Sequence, residues 1–222
     1  MNAGSTYRMT RVQFAPGYVL HHLPYRDTSR ILEVLTREHG RLTLFARGVR
    51  APKSHLAGLL RPFTPLLLSW SGRGDAAQLT GAELASTGDT AATLALPSRC
   101  ILPAFYLNEL ILKLTARHDP QPEIFAHYAS TLDAWKAGAP LQRELRLFEK
   151  RFLDTLGYGL DLRSESISAQ FSYQYRPAHG LQHAVADAPD AIPGSALLSL
   201  ADEDLATPAD LEHARRVLRA AL

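Results

Sequence analysis

The 222-residue sequence is poor in cysteine, in metal-ligand spacings and in long apolar runs. A single cysteine, Cys100, excludes an internal disulfide, and its setting in the apolar run CILPAFYL makes it a buried, inert thiol. The longest apolar runs, such as Pro65 to Leu68, fall far short of a membrane span, and MNAGSTYRMTRVQF lacks the continuous apolar segment of a secretory signal. No membrane association is expected, and the expected compartment is the cytoplasm. The nine histidines are scattered, His21-His22 included, without the spacing of metal ligands. There is no phosphate-binding P-loop, no G-x-S-x-G, no H-E-x-x-H and no glycine-rich dinucleotide fingerprint, so neither a catalyst nor a cofactor is expected. Arg73-Gly74-Asp75 has the form of an integrin ligand, but without an export signal it reads as a hairpin turn.

Charge is distributed unevenly. The formal net charge is only +2, yet residues 1–80 carry 11 Lys and Arg against 4 Asp and Glu, a balance of +7, and the remainder carries −5. A basic first third on a mildly acidic remainder is either a nucleic-acid surface confined to one domain or an ordinary solvated face.

The first 85 residues read as five short strands: Gly17–His22, Ile31–Thr36, Leu42–Ala46, Phe63–Trp70 and Ala77–Leu84. Turn chemistry separates them, at Pro24, His39-Gly40, Gly48 to Pro52 and Ser71 to Asp75. Five such strands fit a small closed barrel, of which the OB fold is one kind. After Leu84 the TGDT and LPS turns lead into segments of helical length, Arg99–Ala116, Pro122–Ala137 and Leu141–Leu156, the last ended by Gly157 as a C-cap. Ala169–Tyr175 alternates like a strand, with Phe171, Tyr173 and Tyr175 on one side, and a closing helix runs from Pro208. The expected fold class is therefore α+β. Residues 1–85 form a five-stranded barrel, and residues 86–222 a mainly helical region with a short β segment at 169–184.

Two constellations carry candidate chemistry. On the third strand, alternation puts Leu42, Leu44 and Ala46 on one face and Arg41, Thr43, Phe45 and Arg47 on the other. Two guanidinium groups flanking an aromatic ring suit a phosphate backbone with a base stacked between, and RGVRAPKS adds Arg50 and Lys53. The alternative is that Phe45 packs against the helical region while the arginines are solvated. The second constellation is on Leu141–Leu156, where Leu141, Leu145, Phe148, Phe152 and Leu156 form an apolar stripe. Arg143, Arg146 and Lys150 line up on another side, with Leu147 beside them. That basic row is either a solvated face or a docking strip for an acidic peptide.

The residues from GYVLHHLPYRDTSR through QLTGAEL resemble the N-terminal OB domain of RecO recombination mediators. The resemblance rests on the T-x-E-x-G-R turn, the A-[KR]-G-x-R segment, RPFTPL and the SGRG turn. It continues more sparsely through YLNELILKL, ELRLFEKRFLDTLGYGLDL and FSYQYRPAHGL. It implies a role in DNA repair in the cytoplasm, at the nucleoid. The family binds single-stranded DNA and the acidic C-terminal tail of the single-strand-binding protein SSB, works with RecR, anneals complementary strands and helps load RecA on SSB-coated DNA. Carried over by position, the resemblance assigns DNA contact to Arg41, Arg47, Arg50 and Lys53, and a place near the SSB-tail pocket to Arg146. Many members hold a four-cysteine zinc module after the Leu-Gly-Tyr motif, but Gly157 to Gly180 contains no cysteine, so zinc is not expected. Similar proteins also continue beyond the position of Leu222 with a basic tail. The rival readings are a scaffold whose barrel binds protein and, more weakly, a nuclease.

Overall fold

The computed structural model describes residues 11–52, 54–72, 77–85, 95–162, 165–185 and 188–222. Lys53, Gly88 and the Arg73-Gly74-Asp75 triplet lie outside the described residues. By its internal contacts the chain divides into two compact units, Met1–Leu132 and Asp133–Leu222.

The first unit opens with three antiparallel strands, β1 (Arg11–Tyr25), β2 (Ser29–Thr36) and β3 (Gly40–Ala46). A one-turn helix α1 (Leu56–Leu59) follows, then β4 (Leu66–Ser71) and β5 (Ala77–Leu84). The strands close in the order β1-β2-β3-β5-β4, with β4 returning to β1 and only β3–β5 parallel, which is the OB topology. The period-2 pattern sets what fills the barrel. Leu32, Val34, Leu42, Leu44, Leu66 and Leu68 point inward and are essentially sealed from solvent, each such side chain contributing about 1.5–3 kcal/mol. The fourth strand begins at Leu66 rather than Phe63, where the backbone is left-handed (φ 68°) and so departs from the extended region.

Helices α2 (Ser98–Leu114) and α3 (Pro122–Lys136) follow. Buried Asn108 of α2 ties the first to the barrel: its Nδ2 donates to the Leu20 carbonyl at 2.7 Å while its Oδ1 accepts from the Tyr128 hydroxyl at 2.7 Å. Tyr128 packs edge-on against Tyr18 at 5.1 Å. A buried amide satisfied on both sides fixes one arrangement, since an unpaired one costs about 1–3 kcal/mol.

The second unit contains α4 (Leu141–Thr155), the strands β6 (Ser172–Arg176), β7 (Gly180–His183) and β8 (Ile192–Pro193), and the helices α5 (Gly194–Ala201) and α6 (Pro208–Ala221). The small sheet has the order β7-β6-β8. Gly157 ends α4 with φ 80°, and the bonds Gly157 N–H to Asp154 O (3.1 Å) and Tyr158 N–H to Leu153 O (2.9 Å) form a Schellman cap. α6 begins on a capping box in which Thr207 and Asp210 satisfy each other's backbone N–H, with Pro208 in the first turn. The sequence reading missed α5, whose run GSALLSLA is too short and too uniformly apolar to show a period. Among the described residues no helix is long and apolar enough to cross a membrane, and Cys100 is buried.

Candidate nucleic-acid interface

The outward row of β3 meets the β1–β2 turn at one end of the barrel. Registers place Phe45 opposite Ile31 and Ile31 opposite Leu23, with Tyr25 opposite Ser29 one step further along β1. Phe45 and Tyr25 therefore share the outer face, their rings 5.6 Å apart and nearly perpendicular (73°). They stand in a concavity of about 610 Å³ lined by Tyr25, Arg26, the Asp27-Thr28-Ser29 turn, Phe45, Arg47 and Gly48. Arg26 has a left-handed backbone (φ 51°), and its guanidinium carbon lies 5.2 Å from the Tyr25 ring centre. That conformation costs roughly 1–2 kcal/mol, and the cation–π contact returns about 0.5–1. Strain of this kind clusters where a side chain is held for use.

The loop after β3 folds back on the same turn. Gly48 takes φ 67°, a conformation open to glycine at no steric cost, and lets Val49 plug the barrel completely while Arg47 and Arg50 on either side stay exposed. Arg50 N–H donates to Thr28 O at 2.8 Å, and its guanidinium reaches Arg26 O at 3.4 Å. Of the residues marked in the sequence, Phe45, Arg47 and Arg50 thus come together, and Tyr25 and Arg26 join them. Sequence reading passed over these last two because Tyr25 follows Pro24 and looked like turn. The signal available was the YRDTSR hairpin, whose register sets Tyr25 beside Phe45.

Arg41 sits apart from this group. Its side chain is only 12% exposed, forms a 3.1 Å ion pair with Glu33, and donates to the Thr115 carbonyl at 2.8 Å. Glu33 also receives the Thr43 hydroxyl at 2.7 Å and Arg117 at 2.6 Å. Arg41 is a strut between β3 and the end of α2, with its charge already matched.

The basic row of α4 also differs from a solvated face. Residues 145–149 are buried in succession, so the middle of the helix is enclosed on all sides and no row on it is free. Arg146 is 6% and Glu149 2% exposed, joined by a 3.0 Å ion pair, while Leu147 belongs to the apolar core with Leu200, Val217 and Leu218. Arg143 donates to the Glu203 carbonyl at 2.7 Å and to Glu144 at 2.9 Å. Lys150 lies 3.4 Å from Asp154 and 3.5 Å from Glu203. It also lines a cavity of about 590 Å³ formed with Asp154, Leu160, Leu162, Leu198, Ala201 and Asp202.

Glu203 is the hub of this strip. The Arg151 guanidinium hydrogen-bonded to it holds its carboxyl below the usual carboxylate range, against the opposing effect of desolvation. A carboxyl depressed on folding stabilises above its unfolded pKa, and that contribution is lost as pH falls through the lower folded value. Glu203→Gln is therefore expected to cost about 1 kcal/mol near neutrality, in keeping with a partly exposed pair. The difference from wild type should vanish on acidification below the usual carboxylate range. Urea midpoints measured across that pH series check it, and a constant difference at every pH would show that the charge plays no part.

Comparison with known proteins settles the lineage. The family model described as Recombination protein O N terminal matches residues 9–87, and that described as Recombination protein O C terminal matches residues 101–222. The chain belongs to the RecO family. It is 43% identical over 219 residues to the DNA repair protein RecO of Chromobacterium violaceum, covering 94% of this chain and 87% of that one. It is 43% identical over 216 residues to the RecO protein of Nitrosococcus oceani (94% and 86%) and 40% over 215 residues to that of Methylococcus capsulatus (95% and 86%). Membership of this family of DNA repair proteins fits the barrel with its basic outer end. The two family models part between residues 87 and 101, where the strands give way to helices.

Proposed function

We propose that this chain is a recombination mediator that binds single-stranded DNA on the outer face of its barrel. It engages the acidic tail of SSB on its second unit, anneals complementary strands and, with RecR, helps load RecA. The observation that carries the DNA reading is the concavity lined by Tyr25, Phe45, Arg26 and Arg47, with Arg50 bonded to the turn that forms its edge. Aromatic faces accept any base and guanidinium groups follow the phosphates, so the site suits a single strand without sequence preference. Its position also supports the reading, because OB folds take oligonucleotides on the face of strands 2 and 3 beside the β1–β2 loop. Lys53 extends the basic loop in sequence. Arg41 contributes by holding β3 in place. This is a binding function that requires no chemical step.

Three arginine contacts give a log–log salt slope of about −2, so raising salt from about 50 to 200 mM should weaken binding roughly 20-fold. Titration of labelled oligothymidylate at several salt concentrations tests this. A flat salt dependence would instead favour a scaffold barrel that binds protein.

For the SSB tail, an acidic peptide with an apolar last residue needs a cation beside an apolar pocket. Lys150 supplies that pairing in the cavity it lines with Leu160, Leu162 and Leu198 together with Asp154 and Asp202, and Arg143 lies two turns earlier on α4. Arg146 and Leu147 act from beneath by fixing the helix. Lys150→Ala is expected to weaken a fluorescent SSB-tail peptide about 5- to 10-fold, the range of a partly exposed charged contact. Unchanged affinity in an anisotropy titration would move the tail site elsewhere.

A further inference from the structure

The second unit holds a cavity that none of this uses. It measures about 420 Å³ and is lined by Arg215, Arg216 and Arg219 of α6, Gln174 and Tyr175 of β6, and Asp190 and Ile192 at β8. Three guanidinium groups line it with the Asp190 carboxylate, and the Glu212 carboxylate pairs with one of them. Arg219 is exposed and makes no ion pair or hydrogen bond with any described residue. Among the described residues Arg215 is held only by the surface carboxylate of Glu212, at 2.8 and 2.6 Å, an exposed pair of small net worth. Arg216 donates to the Pro189 carbonyl at 3.1 Å and lies 3.8 Å from the exposed Asp190 carboxylate. The partial negative charge at the C-terminal end of α6 opposes an anion by only about 0.3–1 kcal/mol, which three arginines outweigh.

We propose that this cleft is a second strand-binding site, taking the phosphodiester backbone of a nucleic-acid strand other than the one on the barrel. Arg215 and Arg219 stand four residues apart on the helix, about 6 Å along its axis, comparable to the repeat between successive phosphates of an extended strand. The strand β6 forms the opposite wall through Gln174 and Tyr175, and because neighbouring strand residues point to opposite faces only one of the two side chains is turned into the cleft. Planar forked donors with a ring or an amide opposite fit a nucleotide better than they fit a run of carboxylates. Asp190 sets the affinity low, so the strand held here is released easily. The inference rests on the reading of the barrel as a single-strand site and deepens it. A chain that holds one strand on each of two separate residue sets brings together the two partners of annealing.

The experiment uses the full chain with two oligothymidylates that cannot pair, one carrying an energy donor and one an acceptor, together with the mass of the complex by sedimentation. Wild type should give energy transfer from complexes of one chain with two strands. Arg216→Ala/Arg219→Ala should weaken capture of the second strand about tenfold, as expected for two lost charged contacts, while the first strand binds within about twofold of wild type. Asp190→Asn leaves the core untouched and should tighten the second strand. One strand per chain in wild type, or transfer that persists in the double variant, overturns the proposal. A polyglutamate peptide that loses binding in the double variant while second-strand capture is unchanged would also overturn it, and would assign the cleft to acidic peptides. Failure of wild type to bind any strand would instead refute the barrel reading.

Discussion

Arg146→Ala should destabilise the second unit by about 3–5 kcal/mol, the range for removing one partner of a buried ion pair. The guanidinium and the Glu149 carboxylate lie 3.0 Å apart with 6% and 2% of their side chains exposed, so truncation removes the cation beside a carboxylate that water hardly reaches. Replacing both groups together, as in Arg146→Met/Glu149→Leu, should recover most of the loss, because the desolvation penalty of both charges disappears with the pair. Urea unfolding followed by helical circular dichroism measures the two variants. A loss below about 1 kcal/mol in Arg146→Ala would mean that the pair behaves as a surface one. The result also governs how tail-binding data are read. Weakened SSB-tail binding by Arg146→Ala reports loss of helix packing unless the apolar double variant, which refolds the unit, is weakened as well.

The contrast between Arg146 and Arg47 shows how far the sequence can be read. Both belong to evenly spaced basic rows next to apolar positions, and period alone treats them alike. On β3 the pattern sufficed, because a strand of a closed barrel has one inside and one outside, and Leu42, Leu44 and Ala46 take the inside. The outward position of Phe45 and the exposure of Arg47 follow from that geometry. On α4 it did not suffice, because residues 145–149 are all buried and Leu147 among them packs with residues of α5 and α6, distant in sequence. Arg41 was illegible for a related reason. Alternation placed it on the outer face of β3, but the Thr115 carbonyl that accepts its hydrogen bond lies 74 residues away. Tyr25 and Arg26 required knowledge of the hairpin register and of a left-handed backbone at Arg26. Fold class and the basic barrel end were thus written in local patterns, whereas which cations are free was decided by tertiary partners.

The DNA site can be separated into its aromatic and ionic parts. Phe45→Ala should weaken oligothymidylate binding by about 1–3 kcal/mol, roughly 5- to 150-fold, as expected for one stacked base. Tyr25→Ala should act in the same direction. Because the two rings are in contact at 5.6 Å, the double variant should lose less than the sum of the single losses, as neighbouring groups do not add. Neither change removes a cation, so the salt slope should stay at about −2 while the whole line shifts to weaker binding. Arg47→Ala should do the converse, making the slope shallower by about 0.7 with a smaller loss at low salt. Anisotropy titrations of the four variants against wild type over a salt series distinguish the two patterns. If Phe45→Ala changed the slope, or left affinity intact while Arg47→Ala abolished it, the rings would not be stacking bases. The site would then be a purely ionic groove, and the strained turn at Arg26 would need another cause.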